Sequence, residues 1–198
     1  NNKLIRSMIK IGILGDIGSG KSFVAKQFGY PVFNADVEVD RIYKKDRNCF
    51  IKLNKEFPKQ VTTFPVNKKE ITKSILSNPK NLKKIIKIVH PLVRKKMNKF
   101  IYQNRNKKMI IFDIPLLLEN NLNKSDYVLV FVQAKKEKII NKLKKRNNFD
   151  SRIFRILRKS QLPLVYKKKK SNFIINNNFS KKSVKKSVKL LKNIIFNQ

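Results

Sequence analysis

A glycine-rich octapeptide between two contrasting segments constrains this chain more than any other feature. Residues 15–22 read Gly-Asp-Ile-Gly-Ser-Gly-Lys-Ser and satisfy the pattern G-x-x-x-x-G-K-[ST] in full. The apolar run Met8–Leu14 predicts a buried strand before it, and Lys21–Phe28 predicts a helix after it. A strand, a glycine turn and a helix in this order are typical of a phosphate-binding loop. The octapeptide therefore predicts an α/β fold with a nucleoside triphosphate bound at the loop.

The residue types in this loop have separate tasks. Glycines let the backbone turn tightly and direct its N–H groups at phosphate oxygens, and the following helix adds partial positive charge. Lys21 is expected to reach the β- and γ-phosphates, and the Ser22 hydroxyl to bind Mg²⁺. Asp16 would repel a triphosphate, so we expect its carboxylate to point to solvent. The predicted nucleotide-binding residues are Gly15, Gly18, Ser19, Gly20, Lys21, Ser22 and Phe23.

Four further apolar segments extend the predicted sheet. They are Tyr30–Asn34, Met109–Asp113, Tyr127–Val132 and Phe173–Ile175. Helical patterns separate most of them, and strands that alternate with helices favour a parallel sheet covered on both faces. We therefore predict a five-stranded parallel sheet with helices on both faces and a helical insertion between strands.

Charge and periodicity also describe the segments between the strands. Residues 37–108 have a helical pattern and a high charge density, which predicts a helical insertion between strands. After the fourth strand we expect a basic helix at Lys135–Arg146 and a helix capped by Asp150 that runs to about Gln161. The lysines at 167–170 are expected to form a mobile, positively charged stretch.

Two carboxylates follow predicted strands and are candidates for the chemistry of transfer. The carboxyl ends of parallel strands share one edge of a sheet, so Asp36 and Asp113 are expected on the edge that carries the loop. Asp36 could orient an attacking hydroxyl and accept its proton, or it could cap the next helix. Asp113 could hold Mg²⁺ through water, or it could cap the turn before Pro115. The residue pattern leaves both pairs of alternatives open.

Two basic side chains are more ambiguous. His90 is the only histidine, and it precedes a predicted helix that starts with Pro91. A lone histidine before a helix is typical of a structural hydrogen-bonding residue, and no cluster of His and Cys predicts a zinc site. Arg146 could close over the transferring phosphates as part of a lid, or it could lie on a solvated basic helix.

The net charge of the chain is +36, from 48 lysines and arginines against 12 aspartates and glutamates. Such a charge favours nucleic-acid binding. The basic residues are spread over every segment without interleaved aromatics, however, so we attribute the charge to compositional drift and expect no specific nucleic-acid partner. No apolar run reaches the roughly 18 residues that a membrane span needs. The single Cys49 cannot form an internal disulfide, which favours a cytoplasmic location.

Several motifs are distributed along nearly the whole chain. They are Ile17-Gly18-Ser19-Gly20-Lys21-Ser22, Asn34-Ala35-Asp36, His90-Pro91-Leu92-Val93-Arg94, Pro115-Leu116-Leu117-Leu118-Glu119, Arg146, Gln161 and Ile174-Ile175-Asn176-Asn177. In these motifs, and in their order and spacing, the chain resembles the dephospho-coenzyme A kinase family. The loop alone is generic, whereas the Pro-Leu-Leu-x-Glu run and the His-Pro motif are much more specific.

This resemblance implies ATP-dependent phosphorylation of the ribose 3′-hydroxyl of dephospho-coenzyme A, with coenzyme A and ADP as products. It also implies a P-loop kinase core with a helical substrate-binding insertion and a helical lid. The nucleotide-binding core would comprise residues 8–36, 109–134 and 171–198, the substrate domain residues 37–108, and the lid residues 135–170. The resemblance further implies that Asp36 is the catalytic base, that Lys21 and Arg146 act on the phosphates, and that Asn177 lies near the adenine of ATP. The residues assigned to the acceptor are Asp36, His90, Arg94, Pro115, Leu116 and Glu119, and those assigned to Mg²⁺ are Ser22 and Asp113.

The chain departs from the family pattern in the loop and at the second strand. Asn34 replaces the first Asp of an Asp-Ala-Asp motif, and Asp16 stands where the family usually has Gly. Two other functions remain as alternatives. A nucleoside-monophosphate kinase would explain Lys21, Ser22 and Asp36 equally well but not the Pro-Leu-Leu-x-Glu run. An RNA- or ribosome-associated NTPase is suggested by the charge alone.

Overall fold

The structure is a computed structural model, and it describes residues 8–115, 117, 119, 126–145 and 149–197. Its strands are β1 (Ile9–Gly15), β2 (Val32–Asn34), β3 (Met109–Asp113), β4 (Tyr127–Gln133) and β5 (Phe173–Asn176). They form one five-stranded sheet in the order β2-β3-β1-β4-β5, and every pair is parallel. The predicted five-stranded parallel sheet is confirmed.

The helices of the described residues alternate with these strands. They are α1 (Lys21–Gln27), α2 (Ala35–Lys45), α3 (Arg47–Glu56), α4 (Lys68–Ser77), α5 (Asn81–Gln103), α6 (Lys136–Lys144), α7 (Ser151–Lys159), α8 (Leu164–Lys170) and α9 (Lys181–Asn197). The four helices α2–α5 occupy the segment predicted to be a helical insertion between strands.

The middle of the sheet carries the phosphate loop. β1 lies between β3 and β4, its last five residues are buried, and β3 is buried throughout. Continuous apolar runs are required of parallel strands that are covered on both faces. In the β1–β3 register Ile13 is opposite Asp113, so the two strands end at the same edge. The loop that follows β1 therefore begins beside the end of β3.

The core on one side of the sheet explains the position of α1. Alternate residues of β1 and β4 point to this side, and α1 and α9 cover them. The buried residues of this cluster include Ile11, Ile13, Val24, Phe28, Val130, Val132, Val184, Val188, Leu191 and Ile195. Because α1 packs directly on β1, the turn between them is held at both of its ends.

The chain forms two compact units. The first comprises Asn1–Asn34, Ile101–Phe149 and Gln161–Gln198, and the second comprises Ala35–Phe100 and Asp150–Ser160. The first unit contains the whole sheet, and the second contains α2–α4, α7 and most of α5. The functional division into substrate domain and lid stays a prediction.

Within residues 135–170 one expectation is confirmed and one is wrong. Asp150 caps α7 as expected, since its carboxylate accepts hydrogen bonds from the Arg152 and Ile153 N–H groups. The prediction of a mobile basic stretch at 167–170 is wrong, because these lysines end α8 and Lys167 is 1% exposed. A helix turns successive side chains by about 100°, so one lysine of four can face the interior while its neighbours stay in water.

Candidate active site

The turn between β1 and α1 has the geometry of a phosphate-binding loop. Gly20 caps α1 with φ 88° and ψ 27°, a left-handed conformation that favours glycine. A Cβ atom at Gly20 would also lie 2.3 Å from Asn177 Nδ2, closer than any real contact. Glycine is therefore required at this position by the backbone and by its neighbour. The result is a helix N-terminus whose N–H groups are available to an anion.

Asn177 holds this loop from the other end of the sheet. Its Nδ2 donates to the Ser19 carbonyl at 2.8 Å, its Oδ1 accepts from the Phe179 N–H at 2.8 Å, and its own N–H donates to the Gln133 carbonyl. The side chain joins the loop to the segment after β5, and the residue is 2% exposed. Its role beside adenine stays a prediction, to which the structure adds a direct contact with the loop backbone.

Lys21 lies over the loop rather than out in solvent. Its Nζ donates to the Asp16 carbonyl at 2.7 Å and to the Gly15 carbonyl at 3.2 Å. The ammonium group is therefore already at the loop, among the groups that a triphosphate would meet. The residue is buried although its charge is normally solvated, and its two carbonyl partners offset part of the desolvation cost.

The expectation that Asp16 points to solvent is wrong. Asp16 is 9% exposed, and its Oδ1 accepts a hydrogen bond from the Ile17 N–H at 2.8 Å. A carboxylate that follows a sharp turn can bind the next backbone N–H, and this local contact holds it against the loop. The same N–H is then already satisfied within the protein.

Ser19, Ser22 and Phe23 complete the loop region. Ser19 is fully buried, and among the described residues its Oγ has no hydrogen-bond partner. Ser22 is the second residue of α1 and is exposed, and its metal-binding role stays a prediction. Phe23 is partly buried and packs against the core beneath α1, so its side chain serves the packing of the helix.

Helix α6 contacts the same loop through apolar side chains, Ile139 and Leu143, to which the sequence analysis assigned no role. A Cβ atom at Gly18 would lie 3.0 Å from Leu143 and 3.1 Å from Ile139, so glycine permits this close contact. The Lys142 ammonium lies 4.2 Å from the centre of the Phe179 ring, a cation–π distance. Phe179 has φ 67°, rare for a residue with a side chain. The segment after β5 is thus fixed between α6 and the loop.

Asp113 ends β3 beside the loop strand and is 3% exposed. Its Oδ2 accepts a hydrogen bond from Asn34 Nδ2 at 2.7 Å, and the two residues are opposite each other in the β2–β3 register. This places a buried carboxylate on the loop side of the sheet, where the sequence predicted it. A metal-binding role is compatible with the position but stays a prediction.

Asp36, His90 and Arg94 belong to the second compact unit. Asp36 is exposed and is the second residue of α2, so it is a first-turn residue rather than the N-cap. His90 does not precede a helix as expected; it lies inside α5, which continues through Pro91. Burial, and secondarily the Arg94 charge, lower the pKa of His90 below its usual 6.5. The imidazole is therefore neutral near pH 7, and Arg94 lies one helical turn away, exposed.

Glu119 forms a buried ion pair that the sequence did not reveal. Its Oε1 lies 2.5 Å from Lys167 Nζ and accepts a hydrogen bond from the Leu162 N–H at 3.0 Å. The exposed fractions of the Glu119 and Lys167 side chains are 8% and 1%. Lys167 also donates to Gln161 Oε1 at 3.3 Å. No local signal separates Lys167 from the three lysines that follow it.

The Pro-Leu-Leu-x-Glu run begins with Pro115, which follows β3 and is partly buried. Leu116, like Arg146, lies outside the described residues, so the predicted roles of both stay predictions. The next residue of the run, Leu117, is fully buried against the sheet, near Gly12. The Pro-Leu-Leu-x-Glu run therefore combines a core contact at Leu117 with the ion pair of Glu119.

The described residues contain no group of three or more His, Cys, Asp and Glu that could hold a metal ion. No helix among them is both long and apolar enough to span a membrane.

The sequence of this chain is similar to known proteins over most of its length. A sequence model of the family described as dephospho-CoA kinase matches residues 9–183. A dephospho-CoA kinase from the Wolbachia of Brugia malayi is 33% identical over 184 residues, which is 90% of this chain and 94% of the relative. A dephospho-CoA kinase from Bacillus anthracis is 32% identical over 177 residues, 85% of this chain and 88% of the relative.

Solved structures share the fold of this chain. A crystal structure of a Thermus thermophilus protein has a TM-score of 0.77 and 26% identity, and covers 95% of this chain and 98% of its own. A dephospho-CoA kinase from Campylobacter jejuni, at 20% identity and a TM-score of 0.58, shares the fold over 93% of this chain and 97% of its own. The family match over residues 9–183 decides the identity: this chain belongs to the dephospho-CoA kinase family.

Proposed function

We propose that this chain transfers the γ-phosphoryl group of ATP to the ribose 3′-hydroxyl of dephospho-coenzyme A, giving coenzyme A and ADP. The observation that carries the proposal is the loop at the end of the central strand, with Lys21 held over it by two backbone carbonyls. Membership of the family supports the choice of acceptor. The 3′-oxygen bonds to the γ-phosphorus, the bond to the β–γ bridging oxygen breaks, and the hydroxyl proton passes to a base.

ATP binds as its phosphates take over the partners of the loop. Charged phosphate oxygens bind an ammonium group more strongly than neutral carbonyls do, so Lys21 exchanges the Gly15 and Asp16 carbonyls for the β- and γ-phosphates. The N-terminus of α1 and the backbone N–H groups around Gly18 bind further oxygens. Asn177 acts through its contact with the Ser19 carbonyl and lies near the adenine.

Mg²⁺ fits the oxygen donors on the loop side of the sheet. Ser22 and Asp113 supply a hydroxyl and a carboxylate, the ligand types that Mg²⁺ prefers. Mg²⁺ is usually held by one or two protein oxygens together with phosphates and water, so no larger cluster of protein ligands is needed. When bound, the ion would supply charge neutralisation at the β- and γ-phosphate oxygens.

Asp36 is the base in this proposal. Its exposed carboxylate in the first turn of α2 can orient the 3′-hydroxyl and accept its proton. Phosphoryl transfer has a loose transition state in which the proton leaves late, so positioning contributes more than basicity. Arg146 adds a cation to the transferring group from the lid.

The remaining residues bind the acceptor. His90 is neutral near pH 7, so it offers a hydrogen bond without adding a charge, whereas Arg94 offers a cation to the acceptor's diphosphate. Pro115 and Leu116 contribute backbone and apolar contacts. Glu119 contributes through Oε2, since its Oε1 is already bound to Lys167 and Leu162.

A coupled ADP-release assay tests this proposal. Dephospho-coenzyme A with Mg-ATP should be turned over, and mass spectrometry with phosphorus NMR should locate the new phosphate at the 3′-position. AMP, CMP and RNA are the competing substrates, and faster turnover of any of them would reject the acceptor. Asp36→Asn should lower turnover by about 10²-fold with ATP affinity nearly unchanged. Asp40→Asn, on the same helix and in a surface ion pair with Lys68, is the matched control.

A further inference from the structure

Asn34 and Asp113 form a polar contact at the loop side of the sheet. They are opposite each other where β2 and β3 end, and Asn34 Nδ2 donates to Asp113 Oδ2 at 2.7 Å. A carboxylate oxygen accepts this hydrogen bond, and the amide nitrogen of Asn34 donates it. The contact is at the short end of the range for N–H···O hydrogen bonds, and it holds the Asp113 carboxylate in one orientation.

We propose that Asn34 is a positioning residue for phosphoryl transfer. By holding Oδ2, its amide sets the plane of the Asp113 carboxylate and so the direction in which the group meets the Mg²⁺ that arrives with ATP. The inference rests on the proposed function, in which Asp113 receives that ion. Loss of a group that binds and orients a metal ligand typically lowers metal affinity by about 10- to 100-fold.

The contact with Asp113 depends on an amide, rather than a carboxylate, at position 34. An aspartate at this position would place a second carboxylate within hydrogen-bond distance of Asp113, a residue that is 3% exposed. Two carboxylates this close repel each other unless a proton or a cation lies between them. The amide attracts the carboxylate instead, so Asp113 is oriented before any metal arrives.

A purely structural role would have a different signature. The β2–β3 pair is already joined by its backbone register, which also sets Val32 opposite Ile111. If Asn34 only stabilised this edge of the sheet, its loss would lower the melting temperature without altering metal binding. Val32→Ala, on the same strand but away from Asp113, reports the effect of weakening β2 alone.

The experiment is a titration of Mn²⁺, followed by electron paramagnetic resonance, into the full chain saturated with a non-hydrolysable ATP analogue. Asn34→Ala removes the donor, and Asn34→Leu removes it while keeping a side chain of similar branched shape. Asp113→Ala and Val32→Ala complete the set. Both Asn34 variants should bind Mn²⁺ about 10-fold more weakly than the parent chain, with kcat lowered and KM for dephospho-coenzyme A unchanged. Val32→Ala should keep the parental Mn²⁺ affinity.

Each outcome bears on the inference. Parental Mn²⁺ affinity in a folded Asn34 variant, together with weakened binding in Asp113→Ala, rejects the positioning role and leaves the proposed function intact. Parental affinity in Asp113→Ala rejects the metal-binding role of Asp113, and the inference fails with it. If Asn34→Ala does not fold, the Asn34→Leu variant is used. If neither folds, the contact is structural and the inference is rejected.

Discussion

Asn177 and Ser19 are 158 positions apart in sequence, and a hydrogen bond of 2.8 Å joins the amide of one to the carbonyl of the other. The contact links the segment after the last strand to the phosphate loop after the first. It also leaves no room for a side chain at Gly20. The conformation of the loop therefore depends on a residue from the far end of the chain as well as on its own glycines.

We expect Asn177→Ala to loosen the loop and lower stability together. One buried and one partly buried hydrogen bond are lost and the Ser19 carbonyl loses a partner, which should lower the free energy of unfolding by about 1–3 kcal/mol. KM for ATP should rise as well. Thermal melts and steady-state kinetics measure both effects. Asn178→Ala is the control, because the Asn178 side chain is exposed and accepts a hydrogen bond from the nearby Ser180 N–H. Equal behaviour of the two variants would contradict the prediction.

Lys21→Ala should lower kcat by about 10²-fold or more, because the ammonium tracks the charge of the transferred group. The fold should survive, since Lys21 Nζ donates to carbonyls of the loop and the side chain is not part of the apolar core cluster. Single-turnover kinetics and a melting curve test the two statements separately. Lys26→Ala, on an exposed position of α1, should keep its activity. Near-parental turnover by Lys21→Ala would place the reaction elsewhere.

The Glu119–Lys167 pair should show strong coupling in a double-mutant cycle. Glu119→Leu or Lys167→Met alone leaves one charge buried without its partner. We expect each single substitution to lower the free energy of unfolding by about 3–5 kcal/mol. The double variant should recover much of the loss, because both charges are removed. Denaturant unfolding of the four proteins measures the coupling. Lys169→Met, an exposed lysine of the same helix, should be nearly silent, and additive losses at 119 and 167 would argue against a buried pair.

His90 should make the fold sensitive to mild acid. Its pKa is lowered in the folded state, mainly by burial, so below about pH 6.5 the unfolded chain takes up the proton more readily. Stability should therefore fall as the pH drops from about 6.5 through the lower folded pKa. His90→Gln keeps a polar side chain without this titration, and its melting temperature should fall less between pH 7.5 and pH 5. Parallel curves for the two proteins would remove His90 from the acid response.

Arg146→Ala should slow transfer or weaken ATP binding, because an arginine can make two parallel hydrogen bonds to phosphate. Arg146→Lys keeps the charge but not this geometry and should recover little activity. Pre-steady-state kinetics with both variants separate binding from transfer. Equal rates for the two variants and the parent chain would assign Arg146 to a solvated helix face.

Local sequence determined the loop and the sheet. The glycines at 15, 18 and 20 permit the positive φ values of the turn, and the continuous apolar run Met109–Asp113 requires a strand buried on both faces. Both features depend on neighbours within a few residues, so periodicity and residue type were enough to predict them. The parallel direction of the strands followed from the alternation of strands with helices.

Only the tertiary structure decided which polar side chains meet. Lys167 cannot be told from Lys168, Lys169 and Lys170 by sequence, and its burial follows from how α8 packs on the sheet. Asp16 was expected in solvent, yet the turn brings the Ile17 N–H to its carboxylate. The contacts of Asn34 with Asp113 and of Asn177 with Ser19 span 79 and 158 positions. Such contacts are set by strand register and packing, which local propensity does not encode.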